Sequence, residues 1–113
     1  RGPGRRPSDA RSISWSEDPV KFRETGLSGA FTIEIAPRSD ARGFFSRTFC
    51  QQEIEAHGLK PIIAQCNMSY NYRQGTVRGL HYQLPPATEA KLIRCVRGAI
   101  RSTIVDLRTG SRT

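Results

Sequence analysis

From Phe31 onward, apolar and polar residues exchange places over short stretches separated by turn residues, the texture of strands rather than helices. Residues 31–36 (FTIEIA) alternate and stop at Pro37, as a strand with one covered and one wet face does. Residues 39–43 (SDARG) read as a loop, and residues 44–49 resume a strand. Residues 50–57 (CQQEIEAH) set Ile54 among polar neighbours and end at Gly58, which predicts one short helix closed by a glycine. The longest strand pattern covers residues 61–71, with Gln65, Asn67 and Ser69 on one face and Cys66, Met68 and Tyr70 on the other. A turn at Arg73-Gln74-Gly75 leads into a strand over residues 76–83 and a Pro-Pro loop over residues 84–88. Residues 91–96 and 99–107 read as two strands joined at Arg97-Gly98, and residues 108–113 (RTGSRT) as a further turn. Roughly six short strands and one small helix, spaced about ten residues apart, predict an all-β antiparallel sandwich or barrel.

Composition narrows this to one small domain, since 113 residues leave no room for two. Residues 1–19 (RGPGRRPSDARSISWSEDP) are rich in Pro, Gly, Ser and Arg without any period, so residues 1–20 are expected to be a disordered lead-in to a domain over 21–113. The net charge of +8 invites a polyanion, but its distribution argues against a nucleic-acid track. Residues 1–20 contribute only +1, and the rest is spread as single arginines between apolar residues, the pattern of a solvated face or of isolated phosphate contacts. Cys50, Cys66 and Cys95 are odd in number and form no CxxC pair, which points to free thiols in a reducing cytoplasm rather than to a disulfide framework or a structural zinc. No apolar run reaches membrane-spanning length, and residues 1–20 lack a signal-peptide core, so no membrane partner is expected.

Candidate chemistry centres on His81 in Arg78-Gly79-Leu80-His81-Tyr82-Gln83. Strand alternation points His81, Gln83 and Gly79 the same way, and the missing glycine side chain leaves room beside the imidazole, as a pocket floor inside a barrel needs. Lys91 shares a face with Ile93 and Cys95, and reads either as an edge lysine with its head in water or as a cation of the site. Gln65 and Asn67 bracket Cys66; two neutral amides on one face either satisfy each other or hydrogen-bond a hydroxylated ligand. Arg42, followed by Gly43, is either a solvated loop arginine or a guanidinium able to reach an oxyanion.

Taken together, these blocks closely resemble the dTDP-4-dehydrorhamnose 3,5-epimerase family, which acts on nucleotide-linked 4-keto-6-deoxy sugars. The matching pieces are Phe22 and Gly29 in KFRETGLSGA, then DARGFF from Asp40, QCNMS from Gln65, RGLHYQLPP from Arg78, KLIRCVRG from Lys91 and VDLR from Val105. The resemblance implies a jelly-roll cupin barrel, here incomplete and limited to its N-terminal portion, and a homodimer formed through barrel strands. Metal-binding cupins use a His-x-His pair, whereas Gln83 follows His81 at that spacing; a neutral amide is a poor ligand for a divalent ion, so no metal and no cofactor are expected. By the resemblance, His81 is the base that removes protons beside the C4 ketone, a task that suits imidazole, which accepts and releases a proton near neutral pH. Lys91 then stabilises the enolate oxygen as charge develops, and Arg42, Gln65, Asn67 and Arg78 contact the substrate, its diphosphate included.

Two departures accompany the resemblance. Arg47 stands in FFSRTF where most of the family carries a substrate-contacting glutamate, a charge reversal pointing to another nucleotide or stereochemical outcome. The family's proton-donor tyrosine and the acidic partner of its histidine lie beyond the matched region; Tyr70, Tyr72 and Tyr82 do not take that place, so an incomplete gene product or fragment is expected. The sequence therefore predicts the N-terminal portion of a bacterial-type epimerase of deoxysugar synthesis for surface polysaccharide. Its competitors are a non-catalytic cupin-like fragment that binds sugar nucleotides or dimerises, and a basic nucleic-acid binder with steeply salt-dependent affinity.

Overall fold

The computed structural model describes residues 19–112; the expected lead-in lies outside the described residues except for Pro19 and Val20. An antiparallel hairpin pairs β1 (Lys21–Glu24) with β2 (Phe31–Glu34), in the register Lys21↔Glu34, Phe22↔Ile33 and Glu24↔Phe31. Thr25 closes the connecting loop: its hydroxyl donates to the Ala30 carbonyl at 2.9 Å and accepts the Leu27 N–H at 3.1 Å. Gly29 sits at φ +83°, a conformation that side chains resist and this loop requires. β1 was not expected from the sequence, because KFRE carries only one apolar residue and shows no alternation.

A second hairpin pairs β3 (Arg38–Asp40) with β4 (Gly43–Phe45) across a two-residue turn, in the register Arg38↔Phe45 and Asp40↔Gly43. The expected loop at 39–43 is thus the tip of this hairpin, and the strand expected over 44–49 contracts to β4. The expected helix forms as α1 (Gln51–Ala56). Its end is a Schellman turn: the Leu59 N–H returns to the Ile54 carbonyl at 3.2 Å and the Gly58 N–H to that of Glu55 at 3.0 Å. Gly58, at φ +73°, supplies the left-handed residue this geometry needs.

The core is small. Val20 and Ile54, 7% and 6% exposed, are the buried apolar side chains among the described residues. Around them, Phe22 stacks on His57 with ring centroids 3.7 Å apart, and Phe31 meets both rings edge-on at 5.9 and 5.7 Å.

Beyond Leu59 no helix or strand forms among the described residues. The strands expected over 61–71, 76–83, 91–96 and 99–107 are unpaired chain, and the four strands among the described residues make two separate two-stranded sheets. The all-β reading therefore holds as short antiparallel pairs with one helix, without a barrel. The radius of gyration is 20.3 Å, against about 13 Å for a compact chain of about this length. The physical reason is that a strand exists through its neighbours. Alternation specifies which face is to be covered but cannot supply the cover. A long tie runs between the two regions, from the Arg94 guanidinium to the Thr48 carbonyl.

Candidate functional site

His81 lies exposed on the extended segment that follows Gly75. A Cβ built on Gly79 would stand 3.2 Å from His81 Nδ1 and 3.4 Å from its backbone nitrogen, so a side chain there would crowd the imidazole. Gly79 also sits at φ +103°, a conformation costly for any residue with a Cβ. The glycine and the histidine are thus coupled in this conformation.

Of the other five candidates, Arg42, Lys91 and Arg78 make their contacts close by in sequence. Arg42, at the tip of the second hairpin, is tied to Asp40 by its backbone N–H at 2.8 Å, its Nε at 3.2 Å and its Nη2 at 2.6 Å. The Arg42 guanidinium holds the Asp40 carboxyl below the usual aspartate range, helped by the Arg42 and Gly43 backbone amides. Lys91 Nζ pairs with Glu89 Oε1 at 2.9 Å. Arg78 Nε donates to Asn71 Oδ1 at 2.7 Å and its Nη2 to the Tyr70 carbonyl at 3.4 Å. Gln65 and Asn67 are exposed on the 61–71 segment. Among the described residues no hydrogen bond or ion pair joins any two of these six. The hollow formed by residues 24–31 at the tip of the first hairpin contains none of them. The arrangement supplies one imidazole, three cations and two amides, the groups that proton transfer next to a polarised carbonyl and anion binding call for.

Several contacts escaped the sequence reading. Arg47 Nη1 lies 3.3 Å from Glu53 Oε2, and both side chains are only 19% exposed. The other carboxylate oxygen accepts the Val20 N–H at 3.0 Å, so Glu53 joins the residues before β1, those after β4 and the helix. His57 places Nδ1 2.7 Å from the Glu53 carbonyl; a carbonyl only accepts, so this nitrogen donates. Asp106 repeats the Asp40 arrangement two residues before Arg108, taking the Arg108 backbone N–H at 3.0 Å and Nε at 2.8 Å, and adds the Ser111 hydroxyl at 2.7 Å. Arg108, and after it Ser111, hold the Asp106 carboxyl well below the usual aspartate range. Its side chain is only 6% exposed, covered by its own partners rather than by a core. The shared Asp-x-Arg spacing was the available signal for both turns.

Among the described residues no group of three or more His, Cys, Asp and Glu is placed to hold a metal ion, and no helix is long and apolar enough to cross a membrane. Cys50, Cys66 and Cys95 are unpaired thiols.

Residues 24–113 match the family model described as dTDP-4-dehydrorhamnose 3,5-epimerase. The dTDP-4-dehydrorhamnose 3,5-epimerase of Shigella flexneri is 45% identical over 91 residues, covering 80% of this chain and 50% of that protein. The protein of the same name from Sinorhizobium fredii is 36% identical over 96 residues, covering 85% and 49%. The dTDP-4-dehydrorhamnose 3-epimerase of Streptomyces niveus is 39% identical over 95 residues, covering 83% and 45%. The chain spans about half the length of the curated relatives it matches. No solved structure matches at a comparable level.

Proposed function

This chain belongs to the dTDP-4-dehydrorhamnose 3,5-epimerase family, and on that premise we propose that it carries the proton-abstracting half of a nucleotide-sugar epimerase site. The observation that carries the reading is the match over residues 24–113, which includes His81 and every other candidate residue. The substrate class is a dTDP-linked 4-keto-6-deoxy sugar of deoxysugar synthesis. The His81 imidazole takes a proton from a carbon next to the C4 ketone. The C–H electron pair becomes the C=C bond of an enolate, and the ketone oxygen takes the negative charge. The Lys91 ammonium stabilises that charge as it forms, while Arg42 and Arg78 hold the diphosphate and Gln65 and Asn67 the sugar hydroxyls. Return of a proton to the opposite face inverts the carbon, and the acid that delivers it comes from the part of the family's length this chain does not span. Because the ketone already acidifies the neighbouring C–H bonds, no hydride carrier and no metal take part. The completed domain is a cupin barrel acting in the cytoplasm as a homodimer.

The test uses residues 1–113 joined to the remaining half of the Shigella flexneri relative, with dTDP-4-dehydro-6-deoxyglucose in deuterated water. Deuterium should enter at the carbons flanking the ketone. His81→Ala should slow entry by ~10²–10⁴, while binding of the substrate changes by less than about tenfold. Unchanged exchange in a folded His81→Ala protein would remove His81 from the reaction.

A further inference from the structure

We propose that Asp40 is a positioning residue for Arg42: it occupies one edge of the guanidinium and so turns the other edge outward to the phosphoryl oxygens of the ligand. The proposal rests on the reading of Arg42 as a diphosphate contact, and adds the residue that aims it and the edge it uses.

A guanidinium is a rigid planar fork of N–H donors that meets an oxyanion along either of two edges, Nε with Nη2 or Nη1 with Nη2. Asp40 Oδ2 takes the first edge, accepting from Nε at 3.2 Å and from Nη2 at 2.6 Å. Asp40 Oδ1 accepts the Arg42 backbone N–H at 2.8 Å, so one carboxylate ties both ends of the same residue. The hairpin fixes the carboxylate in turn, because Asp40 ends β3 opposite Gly43, the first residue of β4. The second edge faces water. The Arg42 side chain is 90% exposed, and among the described residues no hydrogen bond engages its Nη1. Arg78, the other arginine read as a diphosphate contact, is anchored along the same edge, by Asn71 Oδ1 at Nε and the Tyr70 carbonyl at Nη2. Its anchors are neutral, and only Arg42 is aimed by a charge.

A carboxylate beside an anion-binding cation acts in two opposed ways. Its charge repels the arriving anion, while its hydrogen bonds hold still a long side chain whose ordering would otherwise oppose binding. At an exposed hairpin tip water and salt screen the repulsion. They do not relieve the ordering cost, so the second effect prevails. The Arg42 guanidinium in turn holds the Asp40 carboxyl below the usual aspartate range, which keeps the brace charged at neutral pH.

The experiment titrates residues 1–113 with inorganic pyrophosphate and follows the arginine side-chain nitrogens by ¹⁵N NMR. The Arg42 Nη signals should shift while its Nε–H signal, bonded to Asp40, stays in place. Asp40→Ala should weaken pyrophosphate at Arg42 at least about threefold, although it removes a negative charge. Asp40→Asn keeps one acceptor oxygen and should fall between the two. Arg42→Lys, a cation without edges, should lose at least as much as Asp40→Ala. Contacts between Ser39 and Phe44 across the hairpin report whether the turn is intact; where Asp40→Ala opens it, Asp40→Asn carries the comparison. Tighter binding in the intact variant would show that Asp40 only repels the anion, and would overturn the proposal. So would an Nε–H signal that moves with added pyrophosphate, since the anion would then take the edge assigned to Asp40. No response of Arg42 in the wild-type chain overturns the diphosphate reading of Arg42 together with its brace, whereas a response that strengthens without Asp40 removes Asp40 alone.

Discussion

Replacing Glu53 with alanine should open the clamp that holds the two hairpins to the helix. In the intact chain one carboxylate oxygen takes the Val20 N–H at 3.0 Å, and the other faces Arg47 Nη1 at 3.3 Å. An exposed ion pair contributes about 0.2–1 kcal/mol, and a hydrogen bond to a charged acceptor about 1.5–3 kcal/mol. The clamp is only 19% exposed on each side, which favours the upper part of the first range. Both interactions share one carboxylate, so they do not add, and a loss of about 2 kcal/mol is expected. That is about thirtyfold in the opening equilibrium. Glu53→Gln keeps an acceptor for Val20 and loses only the ion pair, so it should cost about 0.5–1 kcal/mol, a few-fold. Native-state hydrogen exchange reads this directly. The Val20 amide loses its own acceptor in the alanine variant, so the informative probes are the Ile54 and Leu59 amides, bonded to the Cys50 and Ile54 carbonyls. Their exchange should quicken about thirtyfold in Glu53→Ala and a few-fold in Glu53→Gln. Equal rates in wild type and Glu53→Ala would show that the clamp contributes nothing to the helix and would refute the reasoning.

Three further outcomes are expected. The Asp106 carboxyl, depressed below its ordinary value of 3.8, should keep the 106–111 turn closed at and above that pH and release it only as pH falls through the lower folded value. A carboxyl-carbon NMR titration with a midpoint at or above 3.8 would contradict this. Phe22→Ala removes the face on which His57 stacks, and should cost about 1.5–2.5 kcal/mol from lost aromatic pairing and burial. The upfield shifts of the His57 ring protons should vanish with it, and shifts that persist would assign the stack elsewhere. Chelation should leave deuterium exchange in the completed epimerase intact, because Gln83 stands where a second histidine ligand would be needed; a loss of activity restored by one divalent ion would overturn the metal-free reading.

What the sequence made legible follows from how local each signal is. The helix was readable because Ile54 and Gly58 carry its burial and its termination within one turn, and both act where they stand. β2 was readable from FTIEIA for the same reason. β1 was not: its single apolar residue, Phe22, acquires meaning only opposite Ile33 and against His57. The hairpin tip at Asp40-Ala41-Arg42-Gly43 was read as a loop, although the Asp-x-Arg spacing that recurs at Asp106-Leu107-Arg108 marks a side chain closing a turn on its own backbone. Over residues 61–107 the alternation is clear and the ladder absent, because pattern encodes the face to be covered and the partner lies outside the pattern. The candidate site shares that fate. Residue types and parities were legible, but Arg42 and Lys91 pair with Asp40 and Glu89, two residues away, and among the described residues no hydrogen bond or ion pair brings His81, Lys91 and Arg42 together.

Arg47 shows the same distinction at a single position. Read along the sequence, it is a charge reversal where the family pattern has a glutamate that touches substrate, and it suggests an altered ligand. In the structure its guanidinium already has a partner, the Glu53 carboxylate, in a largely covered setting where an unpaired charge is costly. A glutamate at position 47 would set a second carboxylate beside Glu53 and repel it, while Glu53 itself is committed to the Val20 N–H. Arginine at 47 is therefore accounted for by the helix one turn further along the chain, with no ligand invoked.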